Sequence, residues 1–169
     1  MCSSDLRWAP PTVQRIPLSG VPIRRAPGVE LRLYSGTSGG VVSPTRNHVP
    51  VTMADVHLEA GAGVEQELPT DYNGLVYGLA GTVRVGASGR VVRPGQVAWL
   101  DRPAGDGASV LRLEGGEEGG RVVLYAGRPT RDGIATHGPF VGDSRADLVR
   151  KYEEFRDGEF PRMSEIVKG

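Results

Sequence analysis

From Leu75 to Val85 the odd positions Leu75, Tyr77, Leu79, Val83 and Val85 are large and apolar, and the even positions Val76, Gly78, Ala80, Thr82 and Arg84 are smaller or polar. Side chains alternate between the two faces of a strand, so this pattern predicts one strand with its odd face packed. Gly86 to Gly89 offers residues that tolerate positive φ and predicts a hairpin onto Arg90 to Arg93. Pro94-Gly95 predicts a second turn, leading to a strand over Val97 to Leu100. Together they form a meander around which the remaining chain is organised.

Upstream, Val29, Leu31 and Leu33 alternate with Glu30, Arg32 and Tyr34 as a half-buried strand, and Val51 to Leu58 sets Thr52, Ala54, Val56 and Leu58 opposite Met53, Asp55, His57 and Glu59. Val13 to Ile16 reads as a short edge strand, and Pro17, Pro22 and Pro27 keep the next segment extended. Ser35 to Pro44 reads as a glycine-rich loop. Val64 to Leu68 is a short acidic strand. Val110 to Leu113 and Val122 to Tyr125 read as two strands flanking a Gly-Gly-Glu-Glu-Gly-Gly loop. Eight to ten short strands of this kind, punctuated by 25 Gly and 13 Pro, predict an all-β barrel or sandwich. Helical spacing occurs only near the end. Ser144 offers an N-cap with Asp147 three residues on, Leu148, Tyr152 and Phe155 form a stripe, and Gly158 marks the stop, which predicts a helix over about 144–157.

Composition narrows the function. Twenty Lys and Arg balance twenty Asp and Glu in 169 residues, so no net charge draws the chain to nucleic acid or to an anionic membrane. No apolar run approaches the length of a membrane span. A single cysteine, Cys2, cannot form an internal disulfide and fits a reducing, cytoplasmic setting. Residues 1–12 read as a tail or linker in which Trp8 can dock, 13–130 as the barrel, and 131–169 as a C-terminal extension.

The order of pieces resembles a cupin barrel. Tyr77 to Gly81 is a Tyr-x-Leu-x-Gly strand, and Arg93 to Gln96 an Arg-Pro-Gly-Gln strand entrance. More narrowly, His48-Val49-Pro50-Val51, Leu124-Tyr125-Ala126-Gly127-Arg128-Pro129, His137-Gly138-Pro139-Phe140-Val141 and Asp157-Gly158-Glu159-Phe160 resemble the C-terminal cupin half of the pirin family. The His-Gly-Pro-Phe-Val block with its capped helix is the specific part. The resemblance implies a double-stranded β-helix, or jelly-roll-like, barrel with one C-terminal α-helix. It also implies a protein of two packed cupins whose iron site, with its His-Pro-His-Arg-Gly type motif, belongs to the N-terminal barrel. No such motif occurs here. The chain therefore looks like half a pirin: a truncation, a split gene or a free-standing relative. Gly142-Asp143-Ser144 replaces the usual Met-Asn-Thr, and the acidic glycine loop is longer than the family pattern.

A metal-holding cupin usually supplies two histidines one residue apart, then a Glu, and a third His later. The window Gly63 to Gly81 offers Glu65, Glu67 and Asp71 but no His, and Asp101 to Leu113 offers none either. No iron, zinc or manganese site is expected, and no cofactor. Glu65 and Glu67 read as a solvated acidic edge or a weak ion site. Asp55, His57 and Glu59 read as a water-facing trio or as a divalent-ion or carboxylate-tuned imidazole site. His48 and His137 read as structural hydrogen-bonding residues. Tyr77, Trp99 and Asn73 either line a barrel mouth able to stack on a planar ligand, with Glu65, Glu67 and His48 as further candidates, or simply pack the core. No catalytic nucleophile stands out. The first expectation is a metal-free structural, binding or regulatory module, working as a homodimer or beside an N-terminal pirin-like cupin chain. The alternative is a component of a quercetin 2,3-dioxygenase-like oxygenase that needs such a metal-bearing partner; weaker still is metal-free acid/base chemistry by His and Asp.

Overall fold

The computed structural model describes residue 9 and residues 12–102 and 105–166. The expectations for Cys2 and Trp8 fall outside them. The chain forms two compact units, Ile16–Pro129 and a second made of Met1–Arg15 with Thr130–Gly169.

Among the described residues, the regular elements of the larger unit are strands apart from one 3-10 turn at Leu18–Gly20. Its strands are β1 (Ile23–Ala26), β2 (Val29–Ser35), β3 (Thr37–Ser38), β4 (Val41–Val42), β5 (Val51–Leu58), β6 (Gly63–Pro69), β7 (Asn73–Val85), β8 (Arg90–Val92), β9 (Val97–Trp99) and β10 (Ala108–Gly127). The main sheet runs β1-β2-β5-β10-β7-β8, with β6 also on β10 and β9 also on β7. Every pairing is antiparallel. The long β10 holds the sheet together: its first part pairs with β6, its last part with β5, and β7 pairs along the other edge. A strand shared in this way curls the sheet around one core, the cupin architecture that the resemblance implies. Leu31, Leu33, Leu58, Leu113 and Leu124 have no exposed surface, and each such burial contributes about 1.5–3 kcal/mol relative to leaving the side chain in water.

Several local expectations are corrected. Residues 13–16 are not a strand, and the segment beyond Pro17 carries the 3-10 turn before β1. The loop over Ser35 to Pro44 contains the β3–β4 hairpin. The two strands expected around the acidic glycines are one strand, β10, from which residues 116–119 bulge: Gly115 pairs with Val83 and Gly120 with Gly81. In β7 the inward residues are Val76 and Gly78, then Val83 and Val85, while Tyr77 and Leu79 face outward and stand 39% and 40% exposed. An extra residue is the cause. Arg121 pairs with Ala80 and Val122 with Gly78, so the Leu79–Ala80 bulge exchanges the two faces halfway along the strand.

The smaller unit holds the hairpin of β11 (Ala135–His137) and β12 (Phe140–Gly142), helix α1 (Arg145–Arg156) and a short helix α2 (Met163–Ile166) that the sequence pattern did not announce. Ser144 caps α1 as expected, its side chain accepting from the Asp147 amide. Leu148 is the buried residue of the stripe. Phe140 meets Tyr152, Phe155 and Phe160 edge-on at ring separations of 6.1, 5.7 and 6.2 Å, a geometry aromatic pairs favour.

Candidate functional site

One end of the curled sheet opens as a cavity of about 1010 Å³. Its wall is apolar where β6, β10 and β9 turn side chains inward, with Leu68, Leu111 and Ala98, and its rim carries Tyr72, Trp99 and Arg90. Trp99 is 75% exposed, an unusual state for an indole and one that leaves a stacking face free. Alternation in β9 explains it: Ala98 pairs with Val76 and points inward, so Trp99 stands on the opposite face and borders the cavity from its edge.

Tyr72 was not among the sequence candidates. Its phenol is held above its ordinary value near 10, chiefly by desolvation; the Arg128 charge opposes this and the Asp71 charge adds to it. Arg128 in turn donates to Asp71 at 2.8 Å. A phenol kept neutral in this way remains a hydrogen-bond donor at the rim. The only hint in the sequence was an aromatic residue just before a strand start.

The other candidates do not gather at this mouth. Asn73 is exposed at the start of β7, and Tyr77 lies on the outward face beside Val97 and Val123. Glu65 and Glu67 alternate outward along β6, Glu65 lying 3.7 Å from Arg112, and His48 is exposed in the bend before Pro50. The inward residues of β6 are Val64, Gln66 and Leu68. Gln66 is 2% exposed and donates to the carbonyls of Thr37 and Glu67 at 3.0 and 2.8 Å, while its Oε1 has no partner among the described residues. The Gln66 amide nitrogen is thus spent on two backbone carbonyls, and its inward neighbours Val64 and Leu68 are aliphatic. Among the described residues no group of three or more His, Cys, Asp or Glu converges.

The trio on β5 divides. His57 is exposed, whereas Asp55 is only 6% exposed because Arg121 closes over it with bonds of 2.9 and 2.6 Å.

The Pirin C-terminal cupin domain matches residues 53–161. The chain belongs to the pirin family. A Pseudomonas aeruginosa protein provisionally named a quercetin 2,3-dioxygenase is 36% identical over 165 residues, which are 95% of this chain and 54% of that protein. Human pirin is 26% identical across 92% of this chain and 53% of its own length. Among solved structures, GK1651 from Geobacillus kaustophilus is 36% identical with a TM-score of 0.67, covering 70% of this chain and 47% of that one. Quercetin 2,3-dioxygenase from Acinetobacter baumannii, 24% identical, superposes with a TM-score of 0.76 over 91% of this chain and 51% of its own, which shows the shared fold. This pirin-family chain spans about half the length of the curated relatives it matches. No helix of the described residues is long and apolar enough to cross a membrane.

Proposed function

We propose that this pirin-family cupin is a binding or regulatory module without a transition metal of its own, whose mouth takes a small planar ligand against Trp99. The observation that carries this reading is the donor set. Where a metal cupin turns imidazoles inward, β6 turns Val64, Gln66 and Leu68, and of these Leu68 lines the cavity together with Leu111 and Ala98. Such a wall favours flat apolar surface, and Tyr72 supplies a single oriented donor at the rim. Its partner is a second copy or a separate N-terminal pirin-like cupin, in a cytoplasmic setting.

Two measurements test this. In a Trp8→Phe background, the fluorescence of Trp99 is expected to fall saturably with a flavonol probe and not with a glucose control. Metal analysis of the purified protein is expected to show no stoichiometric iron, zinc or manganese. A stoichiometric, tightly held metal, or a fluorescence trace indifferent to the flavonol, sinks the reading. A strictly monomeric mass by light scattering, unchanged by an N-terminal pirin-like cupin, sinks its partner clause.

A second reading is favoured by the name of the Pseudomonas relative: an oxygenase component that completes its activity only beside a metal-bearing cupin. Oxygen consumption with a flavonol should then require both chains.

A further inference from the structure

Away from the mouth, the outward face of the same sheet carries an open groove of about 420 Å³. Ala80, Gly81, Gly119 and Gly120 contribute to its lining, with Arg32, Asp55, His57 and Arg121 beside them. The pairing explains the cluster. His57 lies between Glu30 on β2 and Arg121 on β10, and Arg32 lies opposite Asp55. Neighbouring strands are about 4.8 Å apart, so Arg32, His57 and Arg121 rise from three adjacent strands within about 10 Å.

Arg121 is a fixed donor. Its Nε and Nη2 donate to the two oxygens of Asp55, whose side chain is 7% exposed, while the Arg121 side chain is 51% exposed. One edge of the fork is thus anchored on a buried carboxylate, and the Nη1 edge remains for a ligand. Hydrogen bonding to Asp55 also pushes the guanidinium further above its ordinary range, so its charge is permanent. Arg32 is held by one contact, its Nη2 lying 2.7 Å from Glu30. His57 has no hydrogen-bond or ion-pair partner among the described residues. Structural ion pairs account for Asp55 with Arg121 and for Glu30 with Arg32, but they leave an unpartnered imidazole and the free edges of both guanidinium groups around the same hollow.

The glycines make the lining flat. A Cβ at Gly81 would come 2.3 Å from the Gly119 carbonyl oxygen, and one at Gly120 would come 2.4 Å from that of Thr82. Backbone packed this closely excludes side chains and presents bare peptide surface, suited to the face of a ring.

Charge selects the class of ligand. Arg32 and Arg121 face Glu30, Asp55 and Glu118 across the lining, and Arg25 also pairs with Glu30 at 3.3 Å. With Arg25 counted, three guanidinium groups meet three carboxylates, so bulk attraction for a phosphate dianion is absent. A monoanion recognised by directed N–H donors fits, and a planar carboxylate accepts from such donors side by side. We propose that this groove binds a small aromatic monocarboxylate, its carboxylate accepting from Arg32, His57 and Arg121 and its ring lying against Gly81, Gly119 and Gly120.

Amide NMR of the full chain tests this with 2-naphthoate, 2-naphthamide, 2-naphthylmethylammonium and inorganic phosphate as probes. Naphthoate should shift the Gly81, Gly119 and Gly120 resonances saturably and bind at least ten-fold tighter than the other three. Arg32→Gln alters only a surface pair, and Ala80→Phe fills the groove; each should weaken naphthoate binding at least ten-fold. No saturable shift at these glycines, equal or tighter binding of any other probe, or undiminished binding in Arg32→Gln overturns the proposal. Because Trp99 and Tyr72 report the mouth separately, loss of one site is distinguishable from loss of the other.

Discussion

Asp55 lies on the outward side of β5, yet Arg121 reaches diagonally past its register partner His57 to cover it with two hydrogen bonds. Arg121→Gln shortens this cover and leaves the carboxylate with one weaker donor or none. The expected loss is about 1–3 kcal/mol, less than a fully enclosed pair would lose because water reaches the guanidinium. Urea unfolding measures it. Asp55→Asn/Arg121→Gln should recover part of the loss, since neither partner then leaves a bare charge.

Gly78 is an inward position of β7 where a Cβ would stand 2.1 Å from the Arg93 carbonyl oxygen, which is backbone and cannot swing away. Gly78→Ala is therefore expected to cost about 1–3 kcal/mol by overpacking, or more if the β8–β9 turn must move. Gly63→Ala, whose Cβ would lie 3.5 Å from the Leu113 carbonyl oxygen, should stay within about 0.5 kcal/mol. Thermal melts of the two variants side by side check the contrast.

Tyr72 carries a definite pH dependence. Its folded phenol holds its proton more firmly than the unfolded one, so the stabilisation is fully present below about pH 10 and is lost as pH rises through the higher folded value. Ultraviolet titration should find a tyrosine midpoint above the ordinary range that disappears in Tyr72→Phe. Arg128→Gln should raise that midpoint further, since the Arg128 charge opposes the shift, and Asp71→Asn alone should lower it. Movement in the opposite directions contradicts the account.

In the smaller unit, Ser144→Ala removes the acceptor of the Asp147 amide at the start of α1. The helix should lose about 0.5–2 kcal/mol of local stability, read as faster hydrogen exchange along its first turns. Ser144→Asp should restore protection.

The all-β class, the hairpin at Gly86–Gly89 and the capped helix were legible because each depends on residues adjacent in the chain. Val85 pairs with Arg90 as that turn requires, and Gln96 donates to the Arg93 carbonyl across the Pro94-Gly95 turn. Pirin membership was legible from the His137 to Val141 block for the same reason. The candidate site was legible only in part. Trp99 stands at the mouth, but Tyr72 could not be weighed without knowing its desolvation, and the pairing of Asp55 with Arg121 spans 66 positions.

Local alternation and turn chemistry thus determined which segments are strands, where they reverse, and that no histidine pair stands ready for a metal between Gly63 and Gly81. Tertiary structure decided which face each strand buries. One inserted residue at Leu79–Ala80 reverses the in-out order of β7, and the bulge at residues 116–119 joins two apparent strands into one. Period-two patterning has no memory of such an insertion, because a bulge is set by how the partner strand pairs rather than by the residues that form it.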